Sequence, residues 1–250
     1  MLGAACALAL ASLSAPAFAA DFDGILDGGY QNFDLNHGGG SVNDYHINGG
    51  GMFGLAPNWA AQINAGYNHS DGNGADANAW NVSGAAFWRS AGGRIGATVG
   101  YTSIDSSPTA NATHYGLFGD WYATRSITVG VKGGAFNGNH GIKGDYAGVQ
   151  LTGYVMPDFA LSGSYDYTHL NHVTNENDFT VQGEWLFSHS VPLSLYGGYT
   201  RAEFSHSTSA NVWFVGLRFY CDPVDGTLVD RQRSGAEIYG THFGPAALRF

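Results

Sequence analysis

Five short polar breaks cut this chain into units of nearly constant length: Ala56-Pro57-Asn58, Ser90-Ala91-Gly92-Gly93, Ala123-Thr124-Arg125, Met156-Pro157-Asp158 and Ser188-His189-Ser190-Val191-Pro192. Their centres fall at 57, 91, 124, 157 and 190, and one further step of 33 reaches Pro223. Such a unit holds two strands of about ten to twelve residues plus a loop, and about ten residues is what a tilted strand needs to cross a bilayer. The repeat therefore predicts a run of membrane-crossing hairpins.

Alternation supports this. Ile127, Val129 and Val131 share one face while Thr128, Gly130 and Lys132 share the other; Ala147, Val149, Leu151 and Val155 likewise oppose Gln150 and Thr152. A period of two places one face in hydrocarbon and the other in a polar interior. Twelve strands follow, at about 22–32, 43–55, 59–68, 78–89, 94–104, 112–122, 126–137, 144–155, 159–169, 177–187, 193–204 and 210–220. The fold class is all-β, a transmembrane antiparallel up-and-down barrel. The short breaks become turns at one end and longer polar connections become loops at the other. Trp59, Trp88, Trp121, Phe159, Phe187 and Phe219 mark the turn-side interface, and Tyr45, Tyr67, Trp80, Tyr101, Tyr115, Tyr167 and Phe204 the loop-side one. With 12% charged residues, 14% aromatics and 38 glycines, the composition suits this reading; a secreted β-sandwich or a Gly-rich low-complexity chain is the alternative.

The ends read differently. Leu2 to Ala19 is apolar and closes on Ala17-Phe18-Ala19, the pattern of a signal peptide (1–19) cleaved before Ala20, although no Lys or Arg precedes Arg89. Cys6 leaves with it, so Cys221 is an unpaired thiol in the mature chain. The barrel occupies 20–220. Residues 221–250 lose the alternation and contain Pro223, Pro245 and Asp230-Arg231-Gln232-Arg233. They are expected to form a periplasmic tail; folding into the lumen or adding a degraded hairpin are the other options.

The final strand, Val212-Trp213-Phe214-Val215-Gly216-Leu217-Arg218-Phe219-Tyr220, resembles the aromatic-ended signal read by the barrel assembly machinery. Over roughly Asp21 to Tyr220 the chain resembles the Gram-negative outer-membrane barrels, particularly the small porin-like proteins of proteobacteria. Relatives usually end at that aromatic, whereas thirty residues follow here. The resemblance implies export to the outer membrane, lipid and the assembly machinery as partners, and no cofactor.

The inferred inner face carries small and polar residues such as Asn48, Gln62, Asn64, Ser83, Gln150, Ser162, Ser164, Thr180 and Gln182. Twelve strands with such residues should leave a narrow wet passage. Its charges are Arg89, Arg94, Lys132 and Arg218 against Asp27, Asp120, Asp166, Asp178 and Glu184. Arg94, Asp120, Lys132, Asp166, Glu184 and Arg218 are the predicted pore-lining set, which either sets up a transverse field or pairs up and seals the lumen. A formal charge of −10, with loop-end acids Asp34, Asp44, Asp71, Asp76, Asp105, Asp145, Glu176 and Glu203, predicts a weak cation preference and argues against nucleic acid.

Enzyme motifs are not recognisable. The outer-membrane lipid hydrolases place Ser two residues after a strand His, and here Asn171 stands two after His169. His169, His172 and Glu176 could offer metal ligands, but polar loops collect such residues without coordinating anything. The sequence thus points to passive passage of small polar solutes or cations. The alternative is a closed structural or adhesive barrel whose external loops bind a partner.

Overall fold

The computed structural model describes residues 22–36, 40–72, 75–105, 109–171, 174–188, 191–205, 208–221 and 226–237. The expected signal peptide, Cys6, His37, His172, His189, His206, Pro223, Pro245 and Phe250 lie outside them. Twelve strands run in chain order: β1 (Phe22–Leu35), β2 (Gly40–Ala56), β3 (Trp59–Gly72), β4 (Ala75–Ser90), β5 (Gly93–Asp105), β6 (Ala110–Thr124), β7 (Ile127–Gly138), β8 (Lys143–Met156), β9 (Phe159–Leu170), β10 (Thr174–Ser188), β11 (Leu193–Phe204) and β12 (Thr208–Tyr220). Each pairs antiparallel with its sequence neighbours, and β1 pairs with β12 from Ile25↔Tyr220 to Leu35↔Ala210, so the sheet closes into a barrel without an open edge.

Register puts the two periodic faces on opposite sides of the wall. Ile63, Ile95, Val99, Leu117, Val131, Leu151, Val181 and Val215 stay exposed on the outside, as lipid-facing residues must. The turn-side belt holds Trp59, Trp88, Trp121 and Phe187, all exposed. The loop-side belt is built from a repeated cross-strand unit: Tyr30, Tyr67, Tyr165 and Tyr199 each donate to the Oδ1 of an asparagine on the next strand, Asn43, Asn78, Asn177 and Asn211, at 2.6–2.7 Å. Two residues past each asparagine stands the aromatic opposite that tyrosine: Tyr45, Trp80, Phe179 or Trp213. The phenol thus keeps its ring over apolar surface and its hydroxyl bonded at the polar boundary.

Strands run up to four residues further toward the loops than the alternation indicated, and three expectations are corrected at the loop end. Phe204, expected in the outer belt, pairs with Glu176 and is buried inside the barrel. Asp44 and Glu176, expected at an acidic mouth, also turn inward: both are buried, and Asp44 accepts from Gln31 Nε2 at 2.8 Å and Ser70 Oγ at 2.7 Å. Polar residues at strand ends read as loop to a period-two scan, yet the ladder continues through them. Asp34, Asp71, Asp76, Asp105, Asp145 and Glu203 remain exposed.

Two glycines are required by close approach. Gly93, at φ 151° in the turn into β5, would place a Cβ 2.0 Å from the Asp120 carbonyl. Gly148 faces inward between Lys132 and Asp166, and a Cβ there would fall 2.2 Å from an Asp166 carboxylate oxygen.

Candidate functional site: the barrel interior and its stopper

The inner wall is not uniformly polar. Near the turns it carries Ile25, Met52, Ala85, Phe87, Phe118, Leu186 and Tyr220, all buried. What buries them is the C-terminal segment. Residues 226–237 lie inside the turn-side mouth, where Leu228, Val229 and Ala236 join that apolar cluster. The sequence expectation of a tail lying outside the barrel is replaced by a segment docked against its inner wall.

The segment forms one short helix, α1 (Leu228–Ser234). Thr227 caps it: its hydroxyl accepts from the Asp230 amide while the Asp230 carboxylate accepts from the Thr227 amide, a reciprocal capping box. Seven residues are too few to be helical on propensity alone, so the cap and the packing hold it.

Polar contacts then anchor it at several azimuths. Arg233 donates to Thr128 Oγ1 at 3.1 Å and to the Thr124 and Ile127 carbonyls at 2.8 and 3.0 Å, with its guanidinium over the Tyr122 and Tyr154 rings. The Tyr122 hydroxyl donates to the Arg233 carbonyl at 2.8 Å. Gln232 donates to Glu184 at 3.0 Å on the far side. Gln62 donates to the Glu237 carbonyl, and the Glu237 amide donates back to Gln62 Oε1 at 3.2 Å. Arg231, 2% exposed, folds back to donate to the Gly226 carbonyl at 3.1 Å and lies over Tyr220.

All six residues singled out from the sequence stand on the inner face, where they gather into three groups. Arg94 Nε donates to Asp120 at 2.6 Å, and its Nη2 donates to the Glu237 carboxylate of the docked segment. Lys132 pairs with Asp166 at 2.6 Å. Arg218 bridges Asp27 at 3.2 Å and Glu184 at 2.7 Å, and Glu184 also accepts from Ser194 and Tyr220. His46 closes the last network, 2.9 Å from the Tyr196 hydroxyl and 3.3 Å from Asp27. Enclosure inside the barrel pushes the Glu237 carboxyl up to about 7; Arg94 opposes that shift and Asp120 reinforces it.

Sequence reasoning missed Gln62, Tyr122 and Thr128 as docking points, and Glu237 as an interior charge. Two signals pointed to them. Thr227 three residues before Asp230 is a helix-start pattern, and the large apolar residues Met52, Phe87 and Phe118 interrupt an otherwise polar inner face. The suggested His169, His172 and Glu176 metal set is not assembled: His169 pairs with Asn175 and Asp145 on the outer face, Glu176 turns inward, and His172 lies outside the described residues. Among the described residues, no group of three or more His, Cys, Asp or Glu is arranged to hold a metal ion.

Between the docked segment and the loop end the interior keeps a cavity of about 290 Å³, with Asp120, Lys132, Gln150, Asp166, Gln182 and Glu237 on its walls. Beyond it the inner wall turns apolar again, with Phe136, Leu170, Ala202, Phe204 and Ala210 packed against Leu35, Ile142 and Tyr146.

A closed antiparallel barrel with an apolar outer band, two aromatic belts and charged networks inside has the architecture of a membrane-spanning β-barrel. Solved structures with the same fold include an outer membrane channel from Pseudomonas putida F1, at TM-score 0.57 and 11% identity over 80% of this chain and 94% of that one. The KdgM porin, solved in complex with disordered oligogalacturonate, matches at 0.55 and 11% identity over 77% of this chain and 98% of the porin. The translocator domain of the autotransporter NalP from Neisseria meningitidis matches at 0.53 and 14% identity over 87% and 95%. No family model and no curated protein matches the sequence.

Proposed function

We propose that this protein is an outer-membrane, porin-like channel for small polar solutes whose turn-side mouth is stoppered by its own C-terminal segment. The observation that carries the proposal is the docking of residues 226–237 on the inner wall beneath a polar cavity. A barrel serving only as scaffold needs no polar interior, and a permanently filled one needs no detachable stopper. Leu228 and Ala236 pack the segment on the apolar wall, while its hydrogen bonds and the Arg94–Glu237 pair are contacts that water can replace when it leaves. Residues 1–19 direct export and are then removed, and the β12 aromatic end serves recognition by the assembly machinery.

Passage would favour cations weakly. Along the inner wall Asp27, Asp120, Asp166 and Glu184 face Arg94, Lys132 and Arg218, an excess of one carboxylate over bases that persists without Glu237. Because each base is already paired, the net field is small.

The test is conductance in a planar bilayer under a salt gradient, comparing residues 20–250 with 20–221. The shorter chain should give discrete, slightly cation-selective steps, and the longer one long silent periods with brief openings. A truncated barrel that is folded, heat-modifiable and silent would favour the second reading, a closed structural barrel whose external loops meet a partner. That Arg94, Lys132 and Arg218 are each held by a carboxylate is what speaks for that reading.

A further inference from the structure

The interior cavity has a wall of unusual chemistry for so small a space. Gln150, Ser164 and Thr180 are register partners across β8, β9 and β10, and Ser162 and Gln182 form the next row. All five line the cavity. Each side chain can both donate and accept, and none carries charge.

Every base nearby is already held, Lys132 by Asp166 and Arg94 by both Asp120 and Glu237, which leaves one carboxylate in excess. An anionic solute would have to take a base from one of these pairs or sit without a counter-ion in a confined space. A neutral molecule with several hydroxyls can donate to the carboxylates and accept from the amides while leaving every pair intact. Phe118 adds an apolar ring to the same wall, suited to the C–H face of a small cyclic solute. At about 290 Å³ the space lies just below the range that takes drug-sized ligands.

We infer that this cavity binds a neutral polyhydroxylated solute of monosaccharide size, held between the β8–β10 amide and hydroxyl rows and the Glu237 carboxyl contributed by the docked segment. The inference rests on the reading above in one respect, that residues 226–237 remain docked while the solute is bound.

The experiment is equilibrium binding to residues 20–250 folded in an amine-oxide detergent, which carries no sugar headgroup, followed by calorimetry and ligand-observed NMR. The probes are glucose and glucuronate, alike in ring and size and different in charge. Glucose should bind about tenfold more tightly than glucuronate, and Gln150→Leu with Gln182→Leu should weaken it by at least about tenfold while the barrel stays heat-modifiable. If the double variant does not fold, Gln182→Glu keeps the size, adds an unmatched charge and should weaken glucose comparably. Equal binding of the two probes, no glucose binding to the folded protein, or unchanged binding in the folded variants overturns the inference. Because no current is read, a silent barrel that binds glucose removes only the channel reading, and a conducting barrel indifferent to glucose removes only this site.

Discussion

The two ends of the barrel interior are both apolar, but they are covered in different ways. At the loop end, Phe136, Leu170 and Phe204 pack on one another and on Ile142, which follows the short 3-10 turn Asn139–Gly141 between β7 and β8. At the turn end, Met52, Phe87, Phe118 and Leu186 are covered by Leu228 and Ala236, which arrive from beyond the last strand. The first arrangement is part of the wall and cannot leave without unravelling strand ends. The second is a separate piece of chain resting on the wall, and the proposed gating needs it to come away with the barrel intact. Detachability, more than apolarity, separates a gate from a narrowing.

The largest effect should come from ending the chain at Cys221, which uncovers the turn-end cluster and converts a mostly silent barrel into a conducting one; a truncated barrel as silent as the full chain would erase the distinction between the ends. Arg94→Ala comes next. It removes the guanidinium that Asp120 and Glu237 share, and amide exchange across residues 228–237 should report a loss of about 3 kcal/mol in docking, with the β-strand amides unaffected. Leu228→Ala, at a side chain with no exposure, should cost docking about 2–3 kcal/mol. Its counterpart Phe136→Ala should lower the melting temperature of the barrel while leaving tail exchange as it was, and equal effects of both variants on tail exchange would mean that the ends are not independent.

A smaller effect follows from acidity. Glu237 holds its proton up to about pH 7 when docked and only to the ordinary glutamate range when released, so the docked form binds protons more strongly. Docking is then fully supported in acid and weakens as pH rises through 7, and closed periods should shorten several-fold between pH 5 and 8. Glu237→Gln should flatten that dependence. Smallest of all, Tyr199→Phe removes one hydroxyl bond to Asn211 on the outer belt and should cost at most about 1 kcal/mol, without any change in gating.

The outer wall was legible in the sequence because its information is local. Lipid on one side and a polar interior on the other write a period of two into every strand, and turns must recur at hairpin length, so all twelve strands could be placed to within four residues. The inward direction of Arg94, Asp120, Lys132, Asp166, Glu184 and Arg218 followed from the same alternation. Their partners did not. Arg94 meets Glu237 across 143 residues of sequence, and Arg233 meets Thr128 across 105. No periodicity carries such information, since the tail's seven-residue helix exists only against the surface it fills. Glu176 was misplaced for a related reason, since polar strand ends look like loops until the neighbouring ladder extends them, whereas Phe204, already placed on its strand, was given the wrong face.

The link between β12 and the helix has a consequence for inhibition. Only residues 222–225 separate Cys221 from Gly226, so the released segment never diffuses away from its seat. A tether that short holds a binding element at an effective concentration of about millimolar or higher. A free peptide copied from residues 226–237 would therefore compete poorly with the resident one, and a blocker aimed at this mouth has to outbid a competitor that is always present.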